Sequence, residues 1–333
     1  MLSTDSQIFI QGSAVRARIL EYGKLFEELC VIVYTHAGKK EEVVGNVHLW
    51  PTNNRWKFGY FRRALKLGKD ILRAGGEWTV SSQDPFETGW VAYRLKKVFG
   101  VPFQAQIHTD FLSPYFRRGS LKNRLRVILG KWIARKADRI RVVSDRIRDS
   151  LIVLDSNSGK KIVVLPIFVD LDKVRSTVPD PEAQKKYKSD SEFLLLTVAR
   201  NAPEKNLGLA KEIVDELKTK HPKLNWLLIS DAVSALHYYK MADIFLLTSN
   251  YEGYGMAAVE AAAAGVPVVM TDVGVALGAT FPVGNRDAAV KIIEDLIKNP
   301  AKRQELVNKQ NEFFRNWPTK EQYLEWYKAS LTF

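Results

Sequence analysis

The sequence predicts an α/β protein of two doubly wound domains, each a parallel sheet covered by helices. Three observations predict it. Strand-like apolar runs alternate with helical ones along the chain, the pattern that parallel sheets leave. At 333 residues the chain exceeds one ordinary core, so two domains are expected. Finally, Asp243 to Val269 reads as strand, glycine-rich turn, small-residue helix and strand, which is half of a nucleotide-binding unit.

The elements follow in order. In the first half, strands are expected near Leu29–Thr35, Trp78–Ser82, Phe103–His108, Ile140–Val143 and Ile162–Pro166. Helices are expected near Ala14–Glu28, Gly59–Ala74, Thr88–Phe99, Leu121–Ala137 and Asp145–Leu151. A polar stretch from Ser176 to Asp190, with Pro179 and Pro181, reads as the interdomain linker. Beyond it, strands are expected at Phe193–Ala199, Asn225–Ser230, Asp243–Thr248 and Val266–Thr271. The helices there fall near Leu207–Lys220, Ala232–Met241, Met256–Ala264, Asp287–Lys298 and Ala301–Asn316. A last aromatic helix covers Lys320–Leu331. No internal repeat or low-complexity stretch interrupts this order.

Composition narrows the class. With 46% hydrophobic and 26% charged residues the chain is that of a soluble globular protein. The single cysteine, Cys30, lies in an apolar run, excludes an intramolecular disulfide and points to a reducing compartment. Neither a signal peptide nor an apolar run of membrane-spanning length is present, so a cytoplasmic protein is expected.

The net charge of +13 is confined to one end, because residues 1–150 hold 27 Lys and Arg against 14 Asp and Glu. Between Asp110 and Asp138 stand Arg117, Arg118, Lys122, Arg124, Arg126, Lys131, Arg135 and Lys136, with no acidic residue among them. They alternate with large apolar side chains. Such a segment, Arg117 to Lys136, suits an anionic membrane surface, and a solvated helix face is the plainer alternative. No helix-turn-helix, zinc-finger or RNA-recognition signature accompanies it, so nucleic acid is not an expected partner.

The most informative segment is Ser249-Asn250-Tyr251-Glu252-Gly253-Tyr254-Gly255-Met256, followed by Glu260 about two helical turns on. Glycines let backbone approach a ligand, and the free N–H groups of the next helix favour an anion there. An anion-binding turn that also carries carboxylates fits a ligand with both phosphate and hydroxyl groups, such as a sugar nucleotide. No histidine cluster offers metal ligands.

Three blocks, in order, resemble the retaining glycosyltransferases of family four. They are Gln106-Ile107-His108-Thr109-Asp110-Phe111, then Val198-Ala199-Arg200 through Lys205-Asn206, then Tyr238-Tyr239 through Glu252-Gly253-Tyr254-Gly255 and Glu260 to Val269. The resemblance spans about residues 78 to 330. It implies a GT-B fold, two Rossmann-like domains facing across a cleft, with the terminal helix returning to the first domain. The expected division is 1–172 for acceptor binding, 173–318 for the nucleotide sugar and 319–333 for the returning helix. The implied activity is a metal-independent retaining hexosyl transfer from a UDP- or GDP-sugar to a glycan or lipid-linked acceptor, in cell-surface polysaccharide or lipopolysaccharide synthesis. No cofactor is expected.

The resemblance also assigns roles. Arg200 and Lys205 are expected to hold the diphosphate, whose negative charge grows as it leaves. Backbone N–H groups of Gly253, Tyr254, Gly255 and Met256 are expected to bind sugar hydroxyls or phosphate. Glu260 is expected to accept from the ribose hydroxyls, and Glu252 to position the donor sugar rather than attack it. His108, at a strand's carboxyl end, is expected to reach a donor-sugar hydroxyl or the reaction centre. Asp84 reads equally as an acceptor-orienting group or a turn cap, and Ser144 as a helix N-cap. Gln11-Gly12-Ser13, with Arg16 and Arg18, is expected only near the acceptor.

Three departures stand out. The first strand, at Met1-Leu2-Ser3, is nearly absent; Asp231-Ala232-Val233 runs almost directly into Tyr238; and Val273 to Gly284 is short. They leave open a catalytically degenerate protein that binds nucleotide or lipid only. A phosphorylase or sugar-nucleotide epimerase is the other enzyme reading, and phosphorylases of this kind normally run to far longer chains.

Overall fold

A computed structural model describes residues 1–188, 193–230 and 235–332. Two compact units emerge, Met1–Pro166 with the chain from Lys320 onward, and Ile167–Thr319.

The first unit runs β1 (Leu2–Ser3), α1 (Ala14–Gly23), β2 (Leu29–Val33), β3 (Glu42–Val44), β4 (Val47–Pro51), α2 (Lys57–Arg73), β5 (Val80–Ser82) and α3 (Glu87–Phe99). It continues through β6 (Phe103–Ile107), α4 (Pro114–Arg118), α5 (Leu121–Lys136), β7 (Arg139–Val142), α6 (Asp145–Leu154) and β8 (Ile162–Val164). The eight strands lie in the order β3-β4-β2-β1-β5-β6-β7-β8. Only β3 and β4 are antiparallel. Short as it is, β1 sits mid-sheet, where Leu2 pairs with both Ile32 and Ser82.

The β3–β4 hairpin is absent from the sequence expectation. Its signal was available: Val47 to Pro51 alternates buried and half-buried positions, and Gly45-Asn46 makes a two-residue turn, Gly45 at φ +60°. Asn46 then anchors the turn by donating from Nδ2 to Gly23 O at 2.8 Å and Phe26 O at 2.7 Å.

The second unit runs α7 (Leu171–Ser176), α8 (Pro181–Lys188), β9 (Phe193–Val198), α9 (Leu207–Lys220), β10 (Leu224–Ile229), α10 (Leu236–Tyr239), β11 (Ile244–Leu247), α11 (Met256–Ala263), β12 (Val268–Thr271), β13 (Ala279–Phe281), α12 (Arg286–Lys298) and α13 (Pro300–Phe313). Its five strands are all parallel, in the order β10-β9-β11-β12-β13. Leu195, Leu246 and Val269 pack in one core with Ile213 and Leu217 of α9 and Ile293 and Leu296 of α12. The short stretch from Val273 to Gly284 contains β13. The departure at Asp231-Ala232-Val233, and the start of the helix expected at Ala232, lie outside the described residues.

The expected linker is corrected. Much of Ser176 to Asp190 is helix α8, held in the second unit by Lys188 Nζ on Asp243 at 2.9 Å. Pro181 stands at the helix start, where its missing N–H costs nothing, and Asp180 caps the turn by accepting from Glu182 N at 2.9 Å. Proline here begins an element and does not break one. The second unit begins at Ile167.

The last helix, α14 (Lys320–Leu331), joins the first unit. Tyr323, Tyr327 and Ser330 are its buried face, and Tyr327 stacks on Tyr22 with ring centroids 3.9 Å apart. Gln104, inside β6, donates from Nε2 to Ser330 O at 2.6 Å. The helix thus caps polar side chains that the sheet buries.

Candidate active site

In the second unit the parallel ladder brings the carboxyl ends of β9, β11 and β12 to one edge. Two loops there are stitched together. Asn250 N donates to Glu204 O at 2.7 Å, and Thr248 Oγ1 donates to the carbonyls of Lys205 and Asn206, both at 3.1 Å. Asn206 adopts φ +47°, a left-handed conformation asparagine tolerates, and its Oδ1 accepts from Leu209 N at 3.4 Å to start α9.

This stitching joins Lys205 to Glu252. The ammonium lies 2.5 Å from Glu252 Oε1, and Ser249 Oγ donates to the same oxygen at 2.7 Å. Both charged side chains are largely buried. Ser249 was given no role in the sequence reading, although it lies two residues beyond the end of β11.

Gly255, at φ +94°, turns the chain into α11. The first intrahelical acceptor is Gly255 O, so the N–H groups of Met256 and Ala257 precede the helix ladder. Opposite this turn, Gly274 at φ +59° approaches so closely that a Cβ there would lie 2.5 Å from Tyr254 O and 3.2 Å from Glu252 Cβ. Val275 N donates to Tyr254 O at 3.1 Å and fixes the approach.

Glu260 stands apart from Glu252 in bonding. It accepts from Tyr239 OH at 2.8 Å. Burial raises its carboxyl above the usual range, and the Tyr239 hydroxyl works against that rise. Arg200 is not drawn to Lys205: its guanidinium is 73% exposed and pairs with Glu204 at 2.5 Å.

In the first unit, His108 follows β6 and is half-buried. Its Nε2 lies 3.1 Å from Gln106 Oε1. Burial first, then the cations Arg141 and Arg18, push its pKa down to about 3, so the ring is neutral at ordinary pH. Asp84 proves to be a turn cap, accepting from Phe86 N at 2.8 Å and Thr88 N at 3.3 Å. Ser144 has N-cap position and extended backbone, but its hydroxyl makes no capping bond, which corrects the expected capping role. Arg16 is buried, bonded to Glu42 Oε2 at 2.7 Å.

The basic segment divides on folding. Arg126 is committed to Glu87 by bonds of 2.7–3.1 Å, through Nη2 and Nε. On α5, Val127, Ile133 and Ala134 are buried, whereas Leu121 (72%), Leu125 (61%), Ile128 (67%) and Trp132 (37%) are exposed. Positions 121, 125, 128 and 132 lie on one helical face. Beside it is a cavity of about 600 Å³, lined by Gly59, Phe61, Arg62, Glu87, Trp90 and Leu129, and by none of the expected site residues. Among the described residues, no helix is long and apolar enough to cross a membrane, and no group of three His, Cys, Asp or Glu side chains could hold a metal.

Known proteins resemble this chain in sequence and in fold. Residues 27–173 match the model of Glycosyltransferase Family 4, and residues 230–313 that of Glycosyl transferases group 1. A probable sucrose-phosphate synthase of Thermosipho melanesiensis is 32% identical over 140 residues, covering 40% of this chain and 32% of that protein. The match therefore spans about a third of that relative's length. Sucrose-phosphate synthase from Thermosynechococcus elongatus superposes with a TM-score of 0.72 at 16% identity, over 98% of this chain and 97% of that one. Anabaena HepE in complex with UDP superposes at 0.70 and 13% identity, over 98% of each chain. A third structure, described as trehalose-6-phosphate from E. coli bound with UDP-2-fluoro glucose, gives 0.74 at 12% identity, over 99% and 98%. At these identities the structures speak for the fold, and the two family models speak for descent: the chain belongs to the family-four, group 1 glycosyltransferases and has their GT-B fold.

Proposed function

We propose that the protein is a metal-independent retaining glycosyltransferase that moves a hexosyl group from a UDP- or GDP-sugar to a glycan or lipid-linked acceptor. The observation that carries this is the meeting of Lys205, Glu252 and Ser249 at the glycine turn that opens α11. A buried cation beside free helix-terminal N–H groups suits a diphosphate, and an adjacent carboxylate suits sugar hydroxyls. Two of the structural neighbours carry UDP or a UDP-sugar analogue, which supports such a donor.

The roles follow from the chemistry. Leaving-group charge grows as the C–O bond to the diphosphate breaks and the sugar becomes cation-like. Lys205, with Arg200 released from Glu204, stabilises that charge. Glu260 accepts from the ribose hydroxyls, and the N–H groups of Gly253 to Met256 bind sugar or phosphate. Glu252 orients the donor sugar. Attack then comes on the face the leaving group departs from, and the departing phosphate oxygen takes the acceptor's proton. His108 contributes a neutral contact to the sugar.

The first unit supplies the acceptor in this reading, with residues 1–172 on the acceptor side and 173–318 on the donor side. The exposed stripe of α5, flanked by basic side chains, supports docking on an anionic membrane at the cytoplasmic face. The aromatic-lined cavity beside it suits the apolar part of a lipid-linked acceptor. Synthesis of a cell-surface polysaccharide or lipopolysaccharide is the setting that fits.

The test is a panel of nucleotide sugars, scored by release of free nucleoside diphosphate and by the anomeric configuration of the product, in excess EDTA. Turnover with retained configuration supports the reading. Nucleotide binding without turnover on any acceptor supports the degenerate alternative. Activity lost to EDTA and restored by Mg or Mn overturns metal independence.

A further inference from the structure

We propose that Gln106 and Arg141 are positioning residues that lock His108 in a single neutral tautomer, with its proton on Nε2 and its Nδ1 lone pair presented to a substrate hydroxyl. This rests on the reading of His108 as a sugar contact, and adds which atom makes the contact and in which direction.

The argument begins at Arg141, which is 2% exposed on β7. A guanidinium has donors only. Its Nη1 donates to Gln106 Oε1 at 2.9 Å, so that atom is the carbonyl oxygen of the amide and not its nitrogen. The other end of the amide agrees, because Gln106 Nε2 donates to Ser81 Oγ at 2.9 Å and Tyr327 OH at 3.3 Å. His108 Nε2 lies 3.1 Å from that same fixed oxygen. Two acceptors would repel at this distance, so Nε2 carries the hydrogen. In a neutral ring Nδ1 is then the acceptor.

Arg141 itself has little freedom. Its Nε donates to Leu165 O at 3.2 Å, and its Nη2 to Pro166 O at 3.1 Å and Tyr323 OH at 2.9 Å. The Tyr327 ring lies under the guanidinium, 5.1 Å from centroid to Cζ. These partners are neutral, so the guanidinium keeps its positive potential toward His108 and opposes protonation of the ring. An imidazole so held is a hydrogen-bond acceptor and a poor proton carrier.

The test is ¹⁵N NMR of histidine-labelled protein, which reads the tautomer directly and needs no substrate. The Nε2-protonated neutral pattern, unchanged between about pH 5 and 8, is expected; an Nδ1-protonated ring, or one that titrates in that window, overturns the proposal. Gln106→Met removes the carbonyl and should give mixed tautomers, with kcat reduced between about tenfold and a hundredfold. Gln106→Glu keeps the acceptor and adds a negative charge. It should retain the Nε2–H tautomer, raise the ring's pKa and make kcat pH-dependent near neutrality. A folded Gln106→Met protein with one unchanged tautomer and full kcat overturns the proposal, and should it not fold, the wild-type spectrum and Gln106→Glu decide. His108→Ala separates the two ideas, because full activity there sinks the sugar contact while leaving the tautomer result standing.

Discussion

Lys205 Nζ and Glu252 Oε1 lie 2.5 Å apart, although 47 positions separate them in the chain. The contact joins the loop after β9 to the loop after β11, and Asn250 and Thr248 hold both loops in place from beneath. Lys205 is thus oriented before any ligand arrives.

From this it follows that Lys205→Ala and Arg200→Ala should each lower turnover more than donor binding. Loss of one donor to a developing charge costs about 2.7–4 kcal/mol, or roughly a hundredfold to a thousandfold in kcat. Arg200→Ala should leave the melting temperature almost unchanged, because its pair with Glu204 is exposed. Steady-state kinetics with the preferred donor checks both, and a raised Michaelis constant at full kcat contradicts the assignment.

Glu260 should make nucleotide affinity sensitive to acid. Burial raises its pKa, so the carboxylate is lost on acidification earlier than from an ordinary glutamate, whose value is 4.5. Affinity should therefore fall as pH drops through the raised value, and Tyr239→Phe should move that fall to higher pH. The stability contribution has the opposite sense: a raised folded pKa favours the fold at low pH, and this is lost as pH rises through it. Titration calorimetry across pH, with Glu260→Gln as the flat control, reads the affinity effect.

Gly274→Ala should damage the site without replacing a charged side chain. The new Cβ would meet the Tyr254 carbonyl at 2.5 Å, and the φ of +59° is itself unfavourable for alanine. Strain of this sort costs about 1–3 kcal/mol. A lower melting temperature together with weaker donor binding is expected, because Tyr254 and Glu252 must both shift. An unchanged melting temperature and Kd would show the loop to be freer than its bonds indicate.

Docking on lipid should depend on the exposed face of α5. Binding to anionic vesicles should rise with acidic lipid and fall with salt, each basic residue near the surface contributing about 1 kcal/mol. Leu121→Ser with Leu125→Ser, or charge reversal at Arg117, Arg118 and Lys131, should abolish co-sedimentation while leaving nucleotide binding intact. Arg126 is unsuited to this test, since reversing it would place two carboxylates together at Glu87. Wild-type protein that ignores anionic vesicles at low salt removes the docking idea and leaves the transferase proposal standing.

How far the fold was legible depended on where bonding partners lie. Leu207–Lys220 and Lys320–Leu331 are periodic, and their structural bounds coincide with the expected ones. The parallel strands β9, β11 and β12 are largely apolar runs, because both faces of such a sheet are covered. The hairpin at Glu42–Pro51 escaped because its first strand is short and exposed, with Glu42 facing Arg16. Helix α8 escaped because proline was read as a stop where it was a start. Of the site, the charged and glycine positions were visible, whereas Tyr239 became informative only through its bond to Glu260. Gln106 and Arg141 look in sequence like polar interruptions of apolar strands. Their meaning lies in Tyr323 and Tyr327, about two hundred positions away, and no local pattern encodes that.

That distance has a consequence for how the molecule is made. Gln104, Gln106 and Arg141 are buried within the first unit, yet the hydroxyls and the carbonyl that receive their hydrogen bonds belong in part to α14. On the ribosome all of Ile167–Thr319 must be synthesised before that helix emerges. At about 5–20 residues per second this is a wait of roughly eight to thirty seconds. During it the amino-terminal sheet is complete in strands but lacks its aromatic cover, with a cation and two amides open to water. The second unit is contiguous and can fold first, so the unit that was begun earlier is finished after it.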